Sequence, residues 1–495
     1  MRQFKVLGVA MAAALLVACG GGGGDGNQNP AVSYTSVVSF GDSLSDAGTY
    51  GPGLIAAGRI PNATAGGMFN VNGIAGAVGA DPVPSYNWAQ LVSAAAVGKI
   101  NCAARAGGFG MVEAKVAGCT SYAQGGARIA DNVGNGNTTA GAAAVAVGVA
   151  TPGPLTESVT TQIANYATDT GSATFTGKEL ITVLAGANDL FAQTKILQTA
   201  ATAAGGTALA TSLVTQLVGL VSPLTPANMG TAQTAITTAI QTEAAKATAT
   251  PTSIISAAVT AAATDAAVNG YTTTAVANAA TIGATAGAAA TTAGNTYAAT
   301  TGATNAVTAM AVAANTLATA IKGMQSNGAK HILVVNLPDV SQTPSAMSTI
   351  VYNPDGSIKD NSSQKLVLAM TTTFNNTLAS ALGVAPDSAA NGILLVDAFS
   401  ENQRQLANPA HYALTNVKDV ACDPAKTLVN PADATSNSTL VCTTSTLVTK
   451  DSAGNAVTQD QALHFLFADS VHPTPYGYKL LAQYAIQKMV FAGWL

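Results

Sequence analysis

Charged residues are scarce in this sequence. Asp, Glu, Lys and Arg make up 9% of its 495 residues, the net charge is −4, and no cluster of Lys and Arg follows the first few positions. Nucleic acids and anionic membrane surfaces attract proteins through concentrated positive charge, so neither is favoured as a partner. Aromatic residues are also few, at 5%, which gives little support for a carbohydrate-binding platform. The chain is longer than the length that a single hydrophobic core usually accommodates. It should therefore contain either one domain with large insertions or a second module.

Residues 1–18 have the pattern of an export signal. A basic start is followed by an almost wholly apolar run that ends in small residues at Ala18. The run is too short to form a stable anchor across a bilayer. Residues 19–33 include a run of glycines and are predicted to be a flexible tether. Residues 34–495 then remain for the folded domain.

The residues around the expected cleavage point suggest a lipid anchor. Leu16-Val17-Ala18-Cys19 resembles a bacterial lipobox, in which cleavage frees Cys19 and the cysteine is lipid-modified. A plain secretory signal cut near Ala18 is the alternative, and it implies the same export route. We therefore expect an exported bacterial protein, either a lipoprotein of the outer membrane or cell surface or a periplasmic or secreted protein. A lipid anchor would be its only attachment to a membrane.

Cysteine usage agrees with export. The sequence has 5 cysteines, and removing Cys19 leaves four, which can pair in three ways that sequence alone does not distinguish. We favour the close-spaced pairs Cys102–Cys119 and Cys422–Cys442, since each would pin an irregular loop in an oxidising compartment. A zinc site is the alternative, but its tight Cys-x-x-Cys spacing is absent from the sequence.

A serine follows the first apolar run of the folded part. Residues 36–40 contain Val, Val and Phe and are predicted to be a short strand, after which Gly41-Asp42 is typical of a turn. A helix is predicted to open at Leu44, with Asp46 in its first turn. Ser43 would then lie at a strand-to-helix elbow, with its N–H at the positive end of a helix dipole. An attacked carbonyl would find hydrogen-bond donors there, so Ser43 is a candidate nucleophile; an ordinary turn serine is the alternative.

Later apolar runs predict the rest of a sheet. Continuous apolar stretches typical of buried parallel strands occur at residues 179–184, 331–336 and 393–397. Helical patterns alternate with them, for example over residues 305–325 and 366–382. Strands alternating with helices imply a parallel sheet covered on both faces.

Residues 196–305 have a different composition. Ala, Thr and Gly dominate this stretch, and charges are rare. Because Ala favours helix while Thr and Gly oppose it, we expect several helices joined by loose turns. We interpret the stretch as an insertion within the domain, and a cap over the site is one role it would suit.

Two further short motifs contain candidate hydrogen-bond donors. Gly125 and Gly126 form a glycine pair that lets the backbone turn an N–H outward, although a plain tight turn is the alternative. Asn188 follows the strand predicted at residues 179–184, at the end where open α/β sheets place their ligands. Its amide can donate to an oxyanion, and a helix cap is the alternative for Asn188 and Asp189.

The last informative motif supplies a base. Asp469 lies three residues before His472 in one predicted loop, where its carboxylate can accept the imidazole Nδ1–H and leave Nε2 free. The other histidines, at positions 331, 411 and 464, have no carboxylate placed in this way. His472 is therefore the candidate base for Ser43.

Together these motifs resemble those of the GDSL-type lipases and esterases of the SGNH hydrolase family. The family's first block matches Phe40-Gly41-Asp42-Ser43-Leu44-Ser45-Asp46, and its later blocks match Tyr122-Ala123-x-Gly-Gly-Ala, Gly186-x-Asn188-Asp189 and Asp469-x-x-His472. The resemblance implies a flavodoxin-like three-layer α/β/α sandwich with a central parallel sheet, interrupted by the Ala/Thr-rich insertion.

The resemblance also implies roles for these residues. Ser43 would be the nucleophile, with His472 as base and Asp469 orienting it, and the oxyanion would be held by Ser43, Gly126 and Asn188, with Gly125 as the alternative glycine. The expected activity is hydrolysis of a small-molecule or lipid carboxylic ester through an acyl-enzyme, with no metal or organic cofactor. The alternative is a surface lipoprotein that binds a partner through its insertion and retains a vestigial hydrolase site.

Overall fold

The computed structural model of the chain describes residues 32–430 and 437–495. The predicted export signal, Cys19 and the tether up to residue 31 lie outside the described residues. Among the described residues, no helix combines the length and hydropathy needed to cross a membrane.

The secondary-structure elements alternate along much of the chain. The strands are β1 (Ser36–Gly41), β2 (Arg105–Gly108), β3 (Met111–Lys115), β4 (Glu179–Leu184), β5 (Val221–Ser222), β6 (Thr272–Thr273), β7 (His331–Val335), β8 (Val351–Tyr352), β9 (Ile358–Asp360), β10 (Ser388–Ala390), β11 (Ile393–Val396), β12 (Asn416–Val420) and β13 (Phe465–Phe467). The α-helices are α1 (Gly51–Ala56), α2 (Trp88–Val97), α3 (Thr139–Ala146), α4 (Val159–Thr170), α5 (Ala187–Val218), α6 (Pro226–Ala244), α7 (Pro251–Asn269), α8 (Ala279–Tyr297), α9 (Ala303–Ser326), α10 (Pro344–Met347), α11 (Ser362–Leu382), α12 (Ala398–Ala407), α13 (Gln459–Leu463) and α14 (Pro475–Phe491).

The central sheet has five strands in the order β1-β4-β7-β11-β10. The first four run parallel, and β10 is antiparallel to β11 at one edge. At the other edge, residues 120–122 run beside β1: the Ser39 N–H donates to the Thr120 carbonyl at 3.1 Å, and the Tyr122 N–H donates to the Ser39 carbonyl at 2.7 Å. The four parallel strands are those that the apolar runs predict, and their parallel pairing is confirmed; the short edge strand β10 is an addition that the apolar runs do not predict.

Helices cover both faces of this sheet. Side chains alternate along a strand, so neighbours such as Val37 and Val38 belong to different cores. The sheet face that carries the Val38 side chain packs against α4, α9 and α11. The opposite face, which carries Val37, packs against α2 and α14. The fold is therefore the predicted three-layer α/β/α sandwich.

Helices α5 to α8 form a separate hydrophobic core. Leu213, Ile236, Val259 and Ile282 are buried together there, without a residue of the central sheet in the cluster. The N-terminal capping residues of α6 and α7 are threonines: Thr225 accepts from the Asn228 N–H, and Thr250 accepts from the Ser253 N–H. The Ala/Thr-rich stretch is thus helical, as its composition predicts, and it carries its own core.

Two disulfide bonds lie outside that helical region. Cys102 is bonded to Cys119 and Cys422 to Cys442, the pairing that the sequence spacing favours. The second bond is buried beside Phe465 and Ala468, just before the loop that contains His472. Each bond therefore ties down irregular chain near the carboxyl edge of the sheet or along its β1 side.

The separate core predicts a local effect of mutation. Leu213 is fully buried, so Leu213→Ala should cost about 2–5 kcal/mol in the stability of α5–α8. Hydrogen exchange followed by mass spectrometry should show faster exchange over residues 209–286, with β4 and β7 unchanged. Ile196→Ala, at a side chain that is 55% exposed, is the control and should leave exchange unaltered. Equal loss of protection in the central sheet would contradict a separate core.

Candidate active site

Ser43 lies in a turn at the carboxyl end of β1. Gly41 has φ +153°, and a Cβ at this position would lie 2.2 Å from the Leu184 carbonyl oxygen, so the close approach of β1 to β4 requires glycine here. The Asp42 carboxylate accepts the Leu44 N–H at 3.0 Å, and the Asp42 carbonyl accepts the Ser45 N–H at 3.0 Å. These bonds turn Ser43 away from the strand axis.

The predicted helix after Ser43 is wrong. Residues 42–45 form a turn, and the first helix begins only at Gly51. The reason is local: the Asp46 Oδ1 accepts the N–H groups of Gly48 and Thr49 at 2.9 and 2.8 Å, which competes with helical hydrogen bonding. No helix dipole acts on Ser43 from its own segment, so its N–H is oriented by the turn alone.

Ser43, His472 and Asp469 are joined by hydrogen bonds. The His472 Nε2 lies 2.8 Å from the Ser43 Oγ, and the His472 Nδ1 lies 2.7 Å from one Asp469 oxygen and 2.9 Å from the other. Residues separated by 429 positions in the chain thus lie within hydrogen-bond distance. An Nδ1–H that donates to the carboxylate leaves Nε2 as the acceptor for the serine hydroxyl.

The surroundings hold the Asp469 carboxylate in its charged form. Its Oδ1 accepts the N–H groups of Val471 and His472 at 2.9 and 2.7 Å, and its Oδ2 accepts the Thr439 hydroxyl at 3.1 Å. Burial acts to raise the pKa of Asp469, but His472 and these donors outweigh it and lower the pKa below its ordinary value. The imidazole also lies against Phe69, with ring centroids 4.9 Å apart, which restricts its rotation.

Backbone and amide donors face the same cavity. Within the described part of the chain, neither the Ser43 N–H nor the Gly126 N–H has a hydrogen-bond partner. The Gly125 N–H, in contrast, donates to the Asp46 Oδ2 at 2.8 Å. Gly126 has φ +80°, and a Cβ there would lie 2.3 Å from the Asn135 carbonyl oxygen. Of the two glycines left open by the sequence, Gly126 is therefore the one with an available donor.

Asn188 lies beside this loop. It is in the first turn of α5, directly after β4, and its Nδ2 donates one hydrogen to the Ala127 carbonyl at 3.1 Å. An amide nitrogen carries two hydrogens, so the second remains for a ligand. Next to it, the Asp189 Oδ2 accepts the Ile129 N–H at 3.0 Å, which shows that Asp189 holds the glycine loop in place as well as lying in a helix N-terminus.

Gln162, which no motif in the sequence indicates, holds the Gly41 backbone. The Gly41 N–H donates to Gln162 Oε1 at 2.9 Å, and Gln162 Nε2 donates to the Gly41 carbonyl at 2.8 Å. Gln162 is 121 positions away from Gly41, so no local motif signals this contact. The bidentate amide fixes the backbone just before Ser43.

The other histidines do not line the cavity. His331 packs edge-on against Tyr34 and Trp494, and burial lowers its pKa. The Nδ1 of His464 lies 2.9 Å from the Asp460 carbonyl. Both arrangements are structural. Within residues 32–430 and 437–495, no cluster of three or more His, Cys, Asp and Glu side chains has the arrangement of a metal site.

A cavity of about 1030 Å³ lies along the carboxyl edge of the sheet. Ser43, Gly126, Asn188 and His472 all line it, together with residues from the loop after β1 and from residues 401–430 and 437–440. No residue of 196–305 is part of the lining, so the helical insertion does not cap the site. The reason is the direction of α5: its first turn contributes Asn188, and its remaining length of roughly 40 Å continues into the separate core.

An α/β/α sandwich with linked serine, histidine and aspartate side chains at the carboxyl edge of its sheet is typical of serine hydrolases as a class. The family model described as GDSL-like Lipase/Acylhydrolase matches residues 240–485. This match supports a GDSL-type hydrolase, which is a carboxylic ester hydrolase. A comparison with curated proteins finds no match.

The family match covers only part of the candidate site. It includes β7, β11, Asp469 and His472, whereas Ser43, Gly126 and Asn188 precede it. The fold brings these earlier residues to the matched segment through β1 and β4.

Buried Asp42 predicts a pH dependence of stability. Burial raises its pKa to about 7, and its Oδ2 has no hydrogen-bond partner among the described residues. A raised carboxyl pKa favours folding at low pH, and this contribution is lost as the pH rises through about 7. Between about pH 6 and pH 8.5, native protein should lose about 1–2 kcal/mol more stability than Asp42→Asn.

Urea unfolding followed by tryptophan fluorescence measures this difference, because Trp88 and Trp494 both pack against the sheet. Burial also raises the pKa of Glu157 to about 8, so the comparison with Asp42→Asn is needed to isolate Asp42. Parallel pH profiles for the two proteins would show that Asp42 does not titrate in this range.

Proposed function

We propose that this chain is an exported serine esterase or lipase in which Ser43 is the nucleophile, His472 the general base and Asp469 the group that orients the imidazole. The observation that carries the proposal is the pair of short contacts at His472, 2.8 Å to the Ser43 Oγ and 2.7 Å to the Asp469 Oδ2. The family match supports the reaction class, and these contacts support the assignment of the three residues.

In this mechanism His472 Nε2 takes the proton of Ser43 as its Oγ attacks the ester carbonyl. The imidazolium that forms is stabilised by the Asp469 carboxylate, which stays ionised because its pKa is lowered. His472 then protonates the leaving alcohol, and water repeats the sequence on the acyl-enzyme. The chemistry requires neither a metal nor an organic cofactor.

The tetrahedral oxyanion would be bound by the Ser43 N–H, the Gly126 N–H and the Asn188 amide. All three face one cavity, and the first two donors have no partner among the described residues. Donors that are already oriented cost no reorganisation when negative charge develops, which is why such sites accelerate acyl transfer.

The test of the proposal is hydrolysis of short- and medium-chain p-nitrophenyl esters by native protein and by Ser43→Ala. The variant should lose about 10⁶-fold in turnover, because the nucleophile and its base act as a unit. Ser470→Ala, at a serine that also lines the cavity, is the matched control. Equal rates from native protein and Ser43→Ala would refute the proposed nucleophile.

The oxyanion assignment predicts a separate effect. Asn188→Ala should lower kcat by roughly 100- to 1000-fold with a small change in KM, because the lost hydrogen bond strengthens only in the transition state. Asn315→Ala removes an exposed amide on α9, away from the cavity, and should leave both constants unchanged. A loss confined to KM would instead assign Asn188 to ground-state binding.

Export and lipidation form a further part of the proposal. Two disulfide bonds are consistent with an oxidising compartment, and the lipobox-like sequence places the modified cysteine at position 19. Metabolic labelling with palmitate should mark native protein but not Cys19→Ser. Secretion of both proteins without label would favour the plain secretory signal.

The second candidate, a partner-binding lipoprotein with a vestigial site, is favoured by one observation. Residues 196–305 bury a core of their own and contribute nothing to the cavity lining, so the role of this stretch lies outside the chemistry. Native protein that binds cell-surface material yet hydrolyses no ester class would favour this candidate.

A further inference from the structure

The cavity extends to both sides of Ser43 along the sheet edge. Neighbouring strands are about 4.8 Å apart, and Ser43, Asn188, Asp339 and Ala398 follow β1, β4, β7 and β11 in that order. One arm therefore passes over β7 and β11. The other arm lies beyond β1, where the loop after α1 and the turn between β2 and β3 form its wall.

The arm beyond β1 has an aromatic floor that starts at the histidine. Phe69 lies against His472 with ring centroids 4.9 Å apart. The ring centroid of Tyr50 lies 6.1 Å from that of Phe69 and 5.6 Å from that of Phe109. Phe69 and Phe109 both line the cavity. The apolar part of a substrate can therefore pack continuously outward from the reacting carbon.

Arg59 lies in the lining of the same arm. Its backbone is anchored, because the Arg59 N–H donates to the Leu54 carbonyl at 2.8 Å and Ile60 is buried beside it. Its side chain is exposed. No salt bridge from Arg59 to any described residue is present, although Arg105, Arg128 and Arg404 all have carboxylate partners.

The charge distribution makes Arg59 distinct within the cavity. It is the one Lys or Arg among the described lining residues. The carboxylates of the lining are already engaged: Asp339 with Ser341 and Gln403, Glu401 with Arg404, and Asp469 with His472. Among the described lining residues, Arg59 is therefore the positive charge that an anion in the cavity could bind.

We propose that Arg59 is a specificity-determining residue that binds a carboxylate or phosphate of an amphiphilic ester whose apolar segment packs on Phe69 and Phe109. A guanidinium binds either group through two parallel N–H donors, so the chemistry is shared by a dicarboxylic monoester and by an acylated glycerol phosphate. The inference rests on the proposed ester hydrolysis and names the substrate class for that site.

The experiment compares kcat/KM for matched pairs of esters. In the first comparison, p-nitrophenyl hydrogen octanedioate is compared with p-nitrophenyl octanoate. In the second comparison, 1-octanoylglycerol 3-phosphate is compared with 1-octanoylglycerol. The proteins are native, Arg59→Gln, Arg59→Lys and the control Lys322→Gln, which removes an exposed charge outside the cavity.

Native protein should prefer the anionic ester in at least one of the two comparisons. Arg59→Gln should reduce the ratio of kcat/KM for the anionic ester to kcat/KM for the neutral ester by about 5- to 20-fold. Arg59→Lys should retain part of the preference, since it keeps the charge but loses the paired donors. Lys322→Gln should keep the native ratio. Raising the salt from about 0.05 M to 0.5 M should weaken the native preference, because the Arg59 side chain is solvent-exposed.

The comparison in which Arg59→Gln lowers the preference identifies carboxylate or phosphate as the anion. An anionic-to-neutral ratio near one for native protein in both comparisons, or a ratio that Arg59→Gln leaves unchanged, would overturn the inference. In either case hydrolysis of the neutral ester that depends on Ser43 would leave the proposed function standing. Absence of hydrolysis of every ester would count against the proposed function itself.

Discussion

The parallel pairing of β1 with β4 is the constraint on which the site depends. Their register places Gly41 opposite Leu184, so the chain leaves both strands at the same level of the sheet edge. Ser43 and Asn188 are therefore adjacent although 145 positions separate them in the sequence. The glycine at position 41 permits this approach, since any Cβ would collide with the Leu184 carbonyl. Without that pairing, the Ser43 hydroxyl and the Asn188 amide would not face one cavity.

Buried carboxylates hold the loops of the site to one another. Asp46 binds the Gly125 N–H, and Asp189 binds the Ile129 N–H, so both ends of the glycine loop are fixed by acids. Burial raises the pKa of Asp46 to about 6, a shift that its backbone donors only partly offset. Such groups are costly to bury, and they persist where the hydrogen bonds they accept orient a functional backbone.

The helical insertion and the reaction cavity are physically separate. The insertion buries its own apolar side chains, so its stability does not require contact with the substrate-binding face. The cavity is instead shaped by the loop after β1, by α12 and by residues 429–430 and 437–440, the last of which lie next to the Cys422–Cys442 disulfide bond. Much of the cavity wall therefore belongs to loops, which can vary without disturbing the sheet. Arg59 lies on one of these loops, beyond the aromatic floor.

Much of this molecule could be predicted because its signals are local. Apolar runs specify the strands, alternation with helices specifies a covered parallel sheet, and the three-residue spacing of Asp469 and His472 places a carboxylate beside an imidazole. The turn at Ser43 is not the helix that propensity predicts, because Asp46 binds two backbone N–H groups that a helix would use, and propensity does not reveal such competition. A cap formed by the insertion was mispredicted because composition reports helix content and not direction.

Side-chain chemistry and periodicity along the chain are enough to indicate which residues carry reactive groups and which segments form the parallel strands. Three contacts depend on the folded arrangement instead: Ser43 meets His472, Arg59 shares a cavity with both, and the Gly125 N–H is bonded to Asp46 whereas the Gly126 N–H has no partner among the described residues. These outcomes depend on distances between segments far apart in sequence. Such distances are set by strand pairing and packing of the whole domain, for which no single stretch of sequence holds the information.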